Sequence, residues 1–187
     1  AWTVLFGSLA TGGSAQAVGQ ASISQTLSSL NNFVNTSTYI VTPSTSSCAG
    51  NTFTLTVSIN PTPIISDMQD STCSGSPLTI NPTPVPIGTK YSWNPPTVQP
   101  FGAVMGSSAQ VSPSGIISMN LVNTTNLPAK VYYSITPVAA NCTGAPFILT
   151  IGVGVPMPVF ADQAAEICSG TAFNVTPVNA PKGTTYT

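Results

Sequence analysis

Residues 51–59 read NTFTLTVSI, and residues 145–153 read APFILTIGV. In the first stretch Phe53, Leu55, Val57 and Ile59 alternate with Thr54, Thr56 and Ser58. In the second, Phe147, Leu149, Ile151 and Val153 keep the same beat. A period of two is the period of a strand, because successive side chains leave a strand on opposite faces. Each stretch therefore presents one apolar face for burial.

The two stretches are copies of one another, and the likeness extends outward on both sides. At a shift of about 94 positions, TYIVTPSTSSCAG (38–50) overlays YYSITPVAANCTG (132–144). After one inserted residue Asp67 meets Asp162, Cys73 meets Cys168, Pro82 meets Pro177, Gly88 meets Gly183 and Tyr91 meets Tyr186. The strings CSGSPLTINPTP (73–84) and CSGTAFNVTPVN (168–179) carry this part of the match. Upstream, FGSLATGGSAQ (6–16) resembles FGAVMGSSAQ (101–110), and Trp2 corresponds to Trp93. A unit of about 94 residues is the size of a domain, well above the 20–50 residues of a solenoid repeat.

Other strands follow the same pattern. Val131, Tyr133 and Ile135 mark one, and Leu78 with Ile80 another. Pro-x-Pro, Gly-Thr, Ser-Gly and Asn-Pro separate them as turn signals. The nearest approach to a helical stripe is SISQTLSSLNNFV (22–34). Its counterpart holds Pro128 opposite Val34 and is rich in β-branched residues, so strand and loop are expected there. About seven short strands per repeat point to an all-β fold, an antiparallel sandwich of immunoglobulin type. Tyr91 and Trp93 are expected in its core, on the third strand.

The proline-rich stretches INPTPII (59–65) and GVPMPVF (154–160) read as stiff linkers between repeats. With these boundaries residues 60–155 form a complete repeat. Residues 1–59 are the C-terminal part of another, and 156–187 the N-terminal part of a third. Joining the ends, GTTYT to AWTV, resembles GTKYS-WNPP at 88–96. The chain is thus expected to be a window in a long tandem array, or a subunit whose open ends complete each other between molecules.

Composition narrows the function. Charged residues make up 4% of the chain, against about 25% in an ordinary soluble domain. There is no His or Arg; the cations are Lys90, Lys130 and Lys182, and the acids are Asp67, Asp70, Asp162 and Glu166. Three scattered lysines cannot neutralise a run of phosphates, which excludes nucleic acid as a partner. A basic membrane-surface helix is excluded likewise. The apolar run FILTIGVGV (147–155) is about half the length of a membrane span, so no membrane insertion is expected in this segment. Neutral Ser, Thr and Asn surfaces instead suit an extracellular wall or fibre protein, whose modules pack side by side without like-charge repulsion.

Catalysis is not expected. Serines without a histidine lack the base that activates a nucleophile. No glycine-rich phosphate loop is present, and no cofactor is called for. The pairs Asp67 with Asp70 and Asp162 with Glu166 are weak candidates for calcium at a repeat junction, since hard cations take oxygen ligands. Solvated loop carboxylates are the plainer reading. Cys48, Cys73, Cys142 and Cys168 form no Cys-x-x-Cys pair and have no histidine to complete a zinc site, so structural disulfides are expected. Counting within repeats favours Cys73 with Cys142. Counting within the chain favours Cys48 with Cys73 and Cys142 with Cys168. Sequence alone does not choose among connectivities, but an end-to-end stack would hold Cys48 and Cys73 far apart, so the pairing within a repeat, Cys73 with Cys142, is preferred.

Taken together, Cys-Ser-Gly-x-x-[Leu/Phe]-x-[Ile/Val], Gly-Thr-x-Tyr-x-Trp, Asn-Thr-Thr-Asn (123–126), Tyr-x-Ile-Thr-Pro (133–137) and Cys-x-Gly (142–144) resemble a known repeat class. It is that of the PKD-like repeats in giant surface proteins of bacteria that export through the type IX secretion system, among them SprB-type gliding adhesins. The resemblance covers nearly the whole chain. It implies an extracellular β-sandwich array with an adhesive or fibre-forming role and no catalytic residues. Partners would be neighbouring repeats, copies of the chain, surface polysaccharide or other cells. Asp70-Ser71-Thr72 resembles the short O-glycosylation motif of these bacteria, with Ser71 as acceptor. The Asn-x-Ser/Thr triplets at Asn35, Asn123, Asn141 and Asn174 match the general sequon and are read as incidental. Three roles are therefore expected, in this order: a segment of a fibre or adhesin, a subunit that polymerises by strand addition, and a carbohydrate-binding accessory module of a secreted enzyme.

Overall fold

The computed structural model describes residues 1–7, 9–157, 159–178, 180 and 183–186, with Phe6 described by its backbone alone. Ser8, Pro158, Asn179, Lys182 and Thr187, which figure in the readings above, lie outside the described residues. Among the described residues every regular element is a strand. The first are β1 (Trp2–Phe6), β2 (Ala10–Thr11), β3 (Ser28–Ser29), β4 (Asn35–Val41) and β5 (Phe53–Ile59). Next come β6 (Met68–Thr72), β7 (Pro77–Ile80), β8 (Lys90–Trp93), β9 (Thr97–Gln99), β10 (Val104–Met105) and β11 (Gln110–Ser114). The last are β12 (Ile117–Asn120), β13 (Val122–Asn123), β14 (Ala129–Ala139), β15 (Cys142–Thr143) and β16 (Phe147–Val153).

Strands β6 to β16 build an immunoglobulin-like sandwich. One sheet runs β11-β8-β14-β16-β6, with β9 and β15 also paired to β14. The pair β12-β7 covers its inner face. Between them lie Ile80, Tyr91, Trp93, Ile117, Leu121, Val131, Tyr133, Ile135, Phe147, Leu149, Ile151 and Val153, all buried. The alternation in β14 and β16 decides this: every odd position from Ala129 to Ala139 and from Phe147 to Val153 points inward. Burying each such large side chain contributes about 1.5–3 kcal/mol. The ring of Trp93 meets that of Tyr133 edge to face, 5.9 Å between centroids.

The all-β immunoglobulin-like sandwich is as expected, and its pairings are antiparallel but for one: β6 lies parallel to β16, with Met68 opposite Leu149 and Thr72 opposite Val153. The chain enters along one edge of the sheet and leaves along its neighbour in the same direction. Entry and exit therefore sit at opposite ends, as an end-to-end array requires.

The N-terminal sheet, β1-β4-β5, repeats half of this plan. Trp2 pairs with Val41 as Trp93 pairs with Ile135, and Tyr39 with Leu55 as Tyr133 with Leu149. The Trp2 indole N–H donates to the Ser14 carbonyl and that of Trp93 to the Ser108 carbonyl, each at 2.9 Å. Its core is smaller: Trp2, Tyr39 and Val41 are buried, while Leu55 and Val57 are half-buried. Their counterparts Leu149 and Ile151 are fully buried. Where β12 and β7 cover the central sheet, only Ile23 and Leu27, from a segment that forms no strand, pack against this face. Phe53 is correspondingly exposed.

Residues 156–187 form no strand among the described positions. Locally they still repeat the turn. Ser76 N donates to Cys73 O and Thr171 N to Cys168 O, each at 3.1 Å, with Gly75 at φ 78° and Gly170 at φ 84°. A positive φ at the third turn position is the requirement of a type II turn, which glycine meets without a Cβ clash. Phe173 and Val175, the counterparts of Leu78 and Ile80, are exposed because no hairpin lies against them.

Candidate functional site at the junction between repeats

The proline-rich stretch read as a stiff linker is docked on the sandwich that follows it. Pro61 and Pro63 are buried. The Asn60 side-chain amide donates to the Ala140 carbonyl, and the Cys142 thiol approaches the Asn60 carbonyl at 3.8 Å. Gly144 carries no side chain for a steric reason: a Cβ there would collide with the Pro63 carbonyl oxygen. The hairpin between β14 and β16 thus grips the linker, and left-handed Ala140 and Asn141 form its turn. Asn32, Phe33, Val34, Pro61, Pro86, Ile87, Ala139 and Ala140 line a cleft of about 320 Å³ at the same place.

The cysteines are not paired. All four are free thiols, with Cys48, Cys73 and Cys168 exposed and Cys142 half-buried. The pairing of Cys73 with Cys142 fails on geometry. Cys73 follows Thr72, which lies opposite Val153, whereas Cys142 lies opposite Ala139 near the start of β16. A strand of that length separates them by roughly 20 Å, and a disulfide needs Cα atoms within about 7 Å. Cys48 with Cys73 fails as well. Cys48 sits in the loop joining Val41 to Phe53, at the end of the N-terminal sheet away from Ile59. Cys73 sits at the far end of the sandwich. The chain toward Cys168 likewise leaves from the end opposite Cys142.

The carboxylates do not gather. Among the described residues no three His, Cys, Asp or Glu side chains lie close enough to hold a metal ion. Asp67 has a structural task instead: its Oδ1 accepts a 2.7 Å hydrogen bond from Ile148 N, at the head of the parallel pair β6 and β16. Asp70 Oδ1 accepts from Ser71 N at 2.7 Å. Asp162 and Glu166 are exposed. The reading of all four as solvated loop carboxylates missed Asp67, whose partner lies 81 positions away.

Asn123 was also missed. It is buried, and its amide nitrogen lies within bonding distance of the carbonyls of Leu127, Val153 and Gly154 (2.8, 3.3 and 3.1 Å). Its Oδ1 accepts from the amide and hydroxyl of Thr125. It ties the loop before β14 to the exit of β16, and a buried amide is no glycan acceptor. Asn35 is held too, its amide against Ser29 and Asn31. Asn141 and Asn174 are exposed, as is Ser71 on β6.

A groove of about 530 Å³ on the outer sheet face is lined by residues including Asn94, Tyr132, Ser134 and Thr136. Trp2 and Trp93, as expected, are core residues, so neither offers a ring face to a sugar. Burial pushes the Tyr133 phenol up to about 12 and raises that of Tyr91. No helix among the described residues is long and apolar enough to cross a membrane.

No curated protein and no solved structure matches the chain. A family model does: the model described as PKD-like domain matches residues 1–63 and 70–158. With the sandwich, its repeated half and the docked linker, that match over most of the length settles the family, and the chain belongs to the PKD-like domain family.

Proposed function

We propose that the chain is a segment of a long extracellular fibre or cell-surface adhesin, built from tandem PKD-like repeats divided at 1–59, 60–155 and 156–187. PKD-like domains are typically non-catalytic modules, common in extracellular proteins, with a structural or adhesive role. The observation that carries the reading is the docked linker. Entry and exit lie at opposite ends of the sandwich, Pro61 and Pro63 are buried, and the exposed Asn60 is tied to the Ala140 carbonyl. Such units transmit tension along one axis instead of flexing at each joint. Export by the type IX route and adhesion in the manner of gliding adhesins complete the proposal, resting on the motif resemblance. Ser71, exposed on an edge strand, is the proposed O-glycan site. The test is the mass of the native polypeptide with peptide mapping past both ends. Repeats continuing on either side, in a chain several times 187 residues, are the expected result. A native chain of this size, without further repeats, overturns it.

A second reading has its own observation. The outer edge of β5 is unpaired, where its counterpart β16 pairs with β6. By repeat register, residues 163–167 match β6. In a polymerising subunit, that segment of one copy would add to β5 of the next. Light scattering of the purified chain checks this: concentration-dependent filaments, capped by a peptide of residues 156–187, are expected, and a persistent monomer rejects it. The third reading, a carbohydrate-binding module, has the groove in its favour but no exposed tryptophan.

A further inference from the structure

We infer that consecutive repeats are stapled by a disulfide across each junction, joining the cysteine of the Cys-Ser-Gly turn in one repeat (Cys73, Cys168) to the hairpin cysteine of the next (Cys48, Cys142). This deepens the tandem-array reading and rests on it. One linker position is seen twice in the chain. Asn60 and Gly154 occupy the same place in the repeat, one at each end of the sandwich. At the entry, the Cys142 thiol lies 3.8 Å from the Asn60 carbonyl. At the exit, Gly154 N donates to Thr72 O at 2.9 Å, and a Cβ on Gly154 would stand 3.8 Å from the Cys73 Cα. The linker residue is therefore approached by the turn cysteine of the repeat before it and by the hairpin cysteine of the repeat after it. Superposing the two junctions through the repeat brings both cysteine types to one residue.

Exposure points the same way. Cysteine is among the most buried residue types when free, yet Cys48, Cys73 and Cys168 are exposed and Cys142 is half-buried. Within residues 1–187 each junction carries one member of its pair, and the other falls one repeat away. This is why no pairing inside the chain satisfies the geometry. In an oxidising compartment, two thiols give up two protons and two electrons to a low-molecular-weight disulfide such as oxidised glutathione, which leaves as two reduced thiols.

The experiment joins two copies of the chain, Thr187 to Trp2, so that Tyr186-Thr187-Trp2 reproduces Tyr91-Ser92-Trp93. The first copy carries Cys48→Ser and Cys142→Ser, and the second Cys73→Ser and Cys168→Ser. Four cysteines remain, with three connectivities available. After oxidation with glutathione, peptide mapping is expected to show Cys73 bound to the second copy's Cys48, and Cys168 to the second copy's Cys142. Cys168 bound to Cys48, the pairing within one repeat, overturns the inference, and so do four free thiols. Unfolding of the reduced protein tests the array separately: a second sandwich formed at the joint adds to the heat of unfolding whatever the thiols do. Should the joined chain not fold, the single chain decides. Asn60→Cys is expected to cross-link with Cys142, and Gly154→Cys with Cys73. Absence of either bond removes the convergence on which the staple rests.

Discussion

Tyr133 and its repeat counterpart Tyr39 are buried with hydroxyls that meet no partner among the described residues. A buried hydroxyl without a hydrogen bond costs free energy, so removing it is cheap. Tyr133→Phe is expected to be neutral or to stabilise by up to about 1 kcal/mol in urea denaturation at neutral pH. The alkaline limb follows from the raised phenol. In the folded protein Tyr133 ionises near 12, and unfolded it ionises near 10. Below pH 10 both states keep the proton and the phenol adds no pH dependence; as pH rises from 10 toward 12 the unfolded state ionises first, so stability falls. Tyr133→Phe should flatten stability over that window, and an unchanged slope would count against burial as the cause. Asn123 is the opposite case, since its side chain answers several backbone groups at once. Asn123→Ala leaves them unpaired and is expected to cost about 1–3 kcal/mol, read as a lowered urea midpoint. Both tyrosines were legible as inward positions from the alternation alone. The importance of Asn123 was not, because Val153 and Gly154 stand about 30 positions away and the triplet itself suggested a sequon.

At the scale of elements, the parallel edge hangs on few contacts beyond its own ladder. Asp67 caps Ile148 N where β6 meets β16. Asp67→Ala frees that amide and is expected to cost about 1 kcal/mol. Hydrogen exchange should quicken along β6 while β14 keeps its protection. Uniform loss across the sheet would mean that the aspartate serves the whole sandwich. The strands themselves were readable: β5, β14 and β16 appear where apolar residues recur at every second position. The parallel pairing was not. MQDST at 68–72 has little apolar alternation, so its place beside β16 is decided by where the docked linker delivers it.

For the whole molecule, unequal cores imply unequal stability. The central sandwich closes two sheets over its apolar face, whereas the N-terminal sheet is covered more sparsely, by Ile23 and Leu27 over a core of Trp2, Tyr39 and Val41. Local opening follows buried apolar contact. Exchange is therefore expected to be slowest in β14 and β16, and faster in β4 and β5 despite their matching register. Equal protection would show that the missing strands contribute little. Gly144 controls the junction. Gly144→Ala puts a methyl group against the Pro63 carbonyl and should undock the linker. Small-angle scattering then reads a broader distribution of lengths, with the sandwich retaining its strand signal. An unaltered profile would mean that the hairpin yields instead.

By itself the sequence determined the strand faces, the repeat, the inward aromatics and the Cys-Ser-Gly turns, for one physical reason. Each depends on neighbours a few positions away, through the pleat of a strand or the φ of one glycine. Tertiary structure alone decided which end of the sandwich holds each cysteine, what Asp67 and Asn123 bind, and that the proline linker is packed rather than free. Those depend on contacts across some 30 to 80 positions, and no local pattern encodes which distant backbone group a side chain will meet.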